Sequence, residues 1–275
     1  MTHTEWTIGT LAADGERLGE RLARGVGGEW TESREGPVLV FRLRRDPRRP
    51  DEEGRGLAAV LTDYIVEECT GSEVAAIVRK RYPSLAVGDR AAVTMRALER
   101  YRALGSATLE HQRRTVSDRL LSVLSDSPTV LIEGVVGFSL PQWRVALEEA
   151  VDEAADLWVL AREEQEFIRV LKAYRDLEPS GPESIHVLAE SGGCRVEDEL
   201  GRPLDRVVAE RDAAGDGLQG EELVAALVSL APHHLTLHRG VDGAGARIVE
   251  GVFGRAATRC PGCERCMQGE LRPPG

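Results

Sequence analysis

Aromatic side chains make up only 4% of this 275-residue chain, with four Trp, four Tyr and four Phe. A core must therefore lean on Leu, Val and Ala. Lysine is nearly missing too. Of 35 basic residues only Lys80 and Lys172 are lysine, which reads as coding bias rather than an arginine-specific function. No apolar run approaches the ~20 residues that a membrane-spanning helix needs. Met1 to Thr10 lacks the basic region and apolar stretch of a secretory signal. Five cysteines, an odd number with three clustered, do not make a disulfide framework. These absences predict a cytoplasmic protein with no membrane partner.

What is present is ordinary for a globular chain: 42% hydrophobic and 29% charged residues, too apolar for wholesale disorder. The length allows about two domains. A net charge of −11 argues against a nucleic-acid binder that works by neutralising phosphates. The charge is uneven: residues 1–50 carry 9 basic and 8 acidic groups, residues 111–180 carry 8 and 13. The basic cluster of Arg42, Arg44, Arg45, Arg48 and Arg49 reads as part of a linker.

The pattern predicts an α+β protein. Residues 1–45 form a small N-terminal α/β unit, with a helix over Asp14–Arg24 and a strand over Val38–Leu43. Residues 46–56, with Pro47, Pro50 and Gly54, read as a linker. A helical domain covers 57–178. Leu57, Val60, Leu61, Tyr64 and Ile65 recur at helical spacing, and Cys69 continues that stripe as a core residue. Ser72 is a candidate cap for a helix that stops at Pro83, and His111 reads as surface. Thr129–Phe138 fits either a strand or the joint of a helical hairpin. Ser139 is then the expected N-cap of a long helix burying Trp143, Leu147, Ala154, Trp158, Ile168 and Leu171. The acidic band Glu148, Glu149, Asp152, Glu153 and Asp156 on that helix is expected to face solvent. It lacks the partner Glu/His pair of a carboxylate metal box.

Beyond the Pro/Gly break at 179–182, residues 183–266 predict a C-terminal β-β-α-β-α-β domain, followed by a tail at 267–275. Its first two strands flank Ser191-Gly192-Gly193 as a hairpin, Gly201 marks a turn, and 203–219 reads as a surface loop. Helices follow over Glu221–Leu230 and Arg247–Phe253, with strands over Leu235–Leu237 and Arg255–Arg259. The last βαβ is long enough for a helical crossover and parallel pairing.

Three of the five cysteines fall in Cys260-Pro261-Gly262-Cys263-Glu264-Arg265-Cys266. In a parallel βαβ, ligands collect beyond the carboxyl ends of the strands. His238 ends one strand and Cys260 the other, so His238, Cys260, Cys263 and Cys266 are candidate ligands of a Cys₃His zinc site with no open position. Pro261-Gly262 suits a type II turn wrapping two thiolates around one ion. His234 lies too far upstream to share that ion, and His233 is further still. His186, between apolar neighbours, reads as a packed or edge-strand histidine.

Other readings stay open. An iron–sulfur cluster needs a fourth soft ligand from a distance, Cys194 or Cys69. A thioredoxin-like redox pair needs a substantial helix after its C-x-x-C, and only nine residues follow Cys266. A cysteine-bearing segment with no cofactor is the plainest case.

Several stretches, in order, resemble the YtxC-like sporulation protein family. They are Ala59-Val60-Leu61-Thr62-Asp63-Tyr64-Ile65, Leu131-Ile132-Glu133-Gly134-Val135-Val136-Gly137-Phe138 and Glu166-Phe167-Ile168-Arg169-Val170-Leu171-Lys172-Ala173-Tyr174. Further on come Ile185-His186-Val187-Leu188, Leu230-Ala231-Pro232-His233-His234-Leu235-Thr236-Leu237-His238 and the cysteine run. The Lys172–Asp176 stretch is more polar than the family's usual version, and residues 1–50 lie outside the likeness. The resemblance implies a role in sporulation and carries over no catalytic residue. The expected function is a non-enzymatic scaffold or regulatory protein with a protein partner. The alternative is a thiol-based redox protein or metal-dependent enzyme using Cys260, Cys263 and Cys266.

Overall fold

The computed structural model describes residues 5–26, 29–44, 50–177, 181–204 and 217–266. It is α+β, and its contacts divide it into two compact units, Met1–Val159 and Leu160–Gly275.

The first unit pairs a four-stranded sheet with a set of helices. Strands β1 (Glu5–Leu11), β2 (Trp30–Glu35), β3 (Val38–Arg44) and β4 (Thr129–Leu131) lie in the order β2-β3-β1-β4. The β1–β3 and β2–β3 pairs are antiparallel, and β4 joins β1 in parallel. Helix α1 (Ala12–Gly25) buries Leu18 and Leu22, one turn apart. Its Gly15 and Gly19 let it lie close on β3: a Cβ on either would stand 2.9 Å from Leu39 or Phe41. Helices α2 (Pro50–Tyr64), α3 (Thr70–Arg81), α4 (Val87–Arg102) and α5 (Ser106–Asp126) follow, α2 packing along α5 and α3 along α4. A π-helical turn, Ile65–Cys69, joins α2 to α3, and Cys69 packs against the core. After β4 come a short turn, α6 (Ile132–Gly134), a second π-helical turn (Val135–Ser139) and α7 (Pro141–Arg175).

Four expectations change here. Trp6 and Ile8 of β1, Leu18 and Leu22 of α1 and Phe41 of β3 share one core with Leu57, Leu61, Leu120, Trp143 and Leu147. Residues 1–45 are thus not a separate unit, because one sheet face and the helices need each other to bury their apolar sides. Of the linker expected over 46–56, residues 46–49 lie outside the described residues, as do Arg45, Arg48 and Arg49 of the basic cluster. The chain is helical from Pro50, a residue type tolerated at the first helical position. The division between the units falls within α7 at Val159, not at 179–182. Ser139 closes the π-helical turn instead of capping α7, and its carbonyl accepts from Arg119. The acidic band of α7 pairs with arginines: Glu148 and Asp152 with Arg81, Glu153 with Arg100.

The second unit holds the predicted β-β-α-β-α-β order: β5 (Ser184–Glu190), β6 (Gly193–Asp198), α8 (Gly220–Leu230), β7 (His234–Leu237), α9 (Gly243–Phe253) and β8 (Ala257–Arg259). The sheet order is β6-β5-β7-β8; β5–β6 is an antiparallel hairpin, and β5–β7 and β7–β8 are parallel. Ile185, Val187, Val196, Leu235 and Leu237 form a core with α8 and α9, and Ile168 and Leu171 of α7 pack against it. Most of the 203–219 loop and the 267–275 tail lie outside the described residues. The loop's described ends pair with β6, Pro203 opposite Glu197 and Leu218 opposite Cys194. Among the described residues no helix is long and apolar enough to cross a membrane.

Candidate metal centre

The site grows out of the β7–β8 register. Leu237 stands opposite Arg259 in a parallel pair, so the next residues, His238 and Cys260, leave the same edge of the sheet side by side. The Cys260 amide donates to the Leu237 carbonyl at 2.9 Å, and the His238 amide to the Val187 carbonyl at 2.9 Å. Arg259 is pinned by Glu250 and Asp242 of the α9 region and by the Val241 carbonyl, fixing the residue before Cys260. The chain then turns at Gly262, whose φ of 129° is on the side that favours glycine, and enters a single helical turn at Glu264–Cys266.

His238, Cys260, Cys263 and Cys266 thereby converge, their ligand atoms all within 4.8 Å of one another. His238 Nδ1 lies 3.3 Å from Cys266 Sγ and 3.4 Å from Cys263 Sγ. Cys266 Sγ is 3.8 Å from both Cys263 Sγ and Cys260 Sγ. These spacings are far beyond the ~2.05 Å of a disulfide, and none of the five cysteines is in a disulfide. They can be tested against a tetrahedral ion. Bonds of about 2.3 Å to sulfur and about 2.05 Å to nitrogen require edges of about 3.8 Å between sulfurs and about 3.6 Å from sulfur to nitrogen. The two sulfur edges at Cys266 match, the His238 edges to Cys263 and Cys266 fall within about 0.3 Å, and the two further edges at Cys260 lie within 4.8 Å. This group can hold one metal ion.

Electrostatics favour the ligand-competent forms unequally. The Cys266 thiol is pulled down: burial opposes ionisation, but the Cys263 and Arg239 amides and the neighbouring thiols outweigh it. Cys260 receives the Gly262 amide, yet burial and its two thiol neighbours push it up. Burial, His186 and the Arg265 guanidinium all hold His238 below the usual imidazole range, which keeps its ring neutral.

The residue that sequence reasoning misread is His186. It lies on β5, opposite Thr236 of β7, and its Nδ1 is 3.0 Å from His238 Nε2. It is neither a packed nor a free edge histidine but a direct partner of the candidate ligand. The hairpin alone did not place β5 beside β7, and that neighbourhood is what joins the two rings. His233, His234, His111 and Cys194 stand outside the group. The Cys194 thiol is half-buried against the sheet core and pushed up by burial.

Fold and site together define an α+β protein with a Cys₃His ligand cluster at the carboxyl edge of a small mixed sheet. The sequence model of the YtxC-like family matches residues 55–255; the chain belongs to that family. The match takes in His186 and His238 and ends before Cys260. No curated protein and no solved structure matches the chain.

Proposed function

We propose that His238, Cys260, Cys263 and Cys266 bind one structural zinc ion that closes the C-terminal unit of a non-enzymatic scaffold or regulatory protein. The observation that carries this reading is the agreement of four of the six ligand spacings with a tetrahedron of zinc dimensions, all six lying within 4.8 Å. Four protein ligands fill the shell and leave no position for water or substrate, the mark of a structural site. When bound, the ion would neutralise much of the charge on three thiolates and cross-link the end of β7 to the segment after β8. His238 supplies a neutral nitrogen, and the Gly262, Cys263 and Arg239 amides donate to the sulfurs.

The role in sporulation is carried by the family resemblance, and a protein partner, rather than nucleic acid, suits the net charge of −11. Five cysteines outside any disulfide suit a reducing, cytoplasmic setting. Metal analysis of the reduced, purified chain is expected to give about one zinc per molecule, and Cys263→Ser to lower both metal content and stability. A colourless, metal-free protein of unchanged stability would sink the zinc reading. A brown chromophore would replace it with an iron–sulfur cluster, and one rapidly alkylated thiol without metal would favour redox chemistry.

A further inference from the structure

We infer that His186 is a positioning residue for this site: it holds the His238 ring so that Nδ1 is the atom offered to the metal. The inference rests on the zinc reading and deepens it. A neutral imidazole has one N–H and one bare nitrogen, and either tautomer is available to a free ring. If the proton sat on Nδ1, the lone pair facing Cys263 and Cys266 would be lost. His186 Nδ1, 3.0 Å from His238 Nε2, provides an acceptor that keeps the proton on Nε2. The His186 proton then sits on its own Nε2, and the ring stays neutral.

Backbone geometry makes the pairing a property of the fold. The His238 amide bonds to the Val187 carbonyl, so β7 is tied to β5 right where the rings meet. Their centroids are 5.2 Å apart with a 43° tilt. His238 is 4% exposed, and in such surroundings a hydrogen bond is stronger than in water. The second ring nitrogen of a ligating histidine is commonly held by a carboxylate or carbonyl. Three thiolates on a dication already leave one net negative charge here, and a carboxylate would add another. A neutral imidazole supplies the acceptor without adding charge.

Full-length protein can test this with zinc competition against a chromophoric chelator, cobalt(II) spectra and far-UV circular dichroism as a fold check. His186→Asn places a side-chain oxygen near the Nδ1 position, whereas His186→Gln carries its amide one methylene further out. We expect Asn to bind zinc within a few-fold of wild type, with unchanged cobalt ligand-field bands. Gln should bind about 10–100-fold more weakly, with shifted bands. A folded Gln variant with wild-type affinity and spectrum, or two variants equally weakened, would overturn the positioning role while leaving the zinc site intact. If the Gln variant does not fold, the Asn spectrum decides: unchanged bands support the role and shifted bands refute it. A wild-type chain that takes up neither metal removes the zinc reading and this inference with it.

Discussion

On the proposed zinc reading, withdrawing the metal should melt the cysteine segment while sparing the sheet behind it. Residues 260–266 include no fully buried side chain, and none of them belongs to the core of the second unit. Fixing seven residues costs about 7–14 kcal/mol of backbone entropy, at about 1–2 kcal/mol each. Apart from the weaker contacts to the sulfurs themselves, three hydrogen bonds hold the segment: Cys260 amide to Leu237, Cys266 amide to Cys263 and Arg265 to the Glu199 carbonyl. At about 1 kcal/mol net apiece they offset about 3 kcal/mol. That leaves a shortfall of about 4–11 kcal/mol, within reach of the ~10–16 kcal/mol that structural zinc supplies in small finger peptides. Hydrogen exchange with mass-spectrometric readout, with zinc and after chelation, can check this on the full chain. The Cys260 and Cys266 amides should lose protection, while β5 and β7, whose side chains pack on α8 and α9, keep theirs. Unchanged slow exchange at both cysteines in protein verified as metal-free would refute the reasoning.

Two further predictions concern the first unit, which holds all four tryptophans, Trp6, Trp30, Trp143 and Trp158, so fluorescence-monitored urea unfolding reports on it. The Trp143 indole donates to the Tyr101 hydroxyl at 3.1 Å in the core. Tyr101→Phe strands that N–H and should cost about 1–3 kcal/mol, whereas adding Trp143→Phe should cost less than the two single changes summed; strict additivity would refute the coupling. Arg21 joins Glu67 at 2.8 Å and Glu68 at 2.9 Å, and hydrogen bonding to Arg21 is the leading reason both carboxyls lie below their ordinary value of 4.5. A depressed carboxyl stabilises the fold above its unfolded pKa and loses that contribution as pH falls through its folded one. Arg21→Ala should thus cost about 1 kcal/mol at pH 7, and the gap to wild type should shrink as pH falls below 4.5. A gap constant with pH would refute the assignment.

Local patterns explain which parts of the molecule were legible. Leu18 and Leu22, or Leu57, Leu61 and Tyr64, recur with the helical period, so their burial follows from a geometry that neighbours in sequence enforce. The Ser191-Gly192 hairpin and the stops at Pro83 and Pro232 are equally local. Strand β2, Trp-Thr-Glu-Ser-Arg-Glu, is polar and carries no apolar alternation; it exists because the edge of β3 offers it partners. Strand β4 is three residues long and is made a strand by β1, more than a hundred residues earlier. No window of sequence contains that information.

The candidate site divides in the same way. The sequence by itself put three thiols and His238 at the carboxyl ends of two strands that a β-α-β connection allows to pair in parallel, because C-x-x-C-x-x-C spacing and a β-α-β order are both local; that the strands are neighbours is seen in the sheet. Tertiary structure alone decided that β1, α1 and β3 share a core with the helices, since neither layer can bury its apolar face without the other. It also decided that His186 meets His238. That contact depends on β5 lying beside β7 in one register, and a slip of one residue would turn the His186 ring to the opposite face of the sheet.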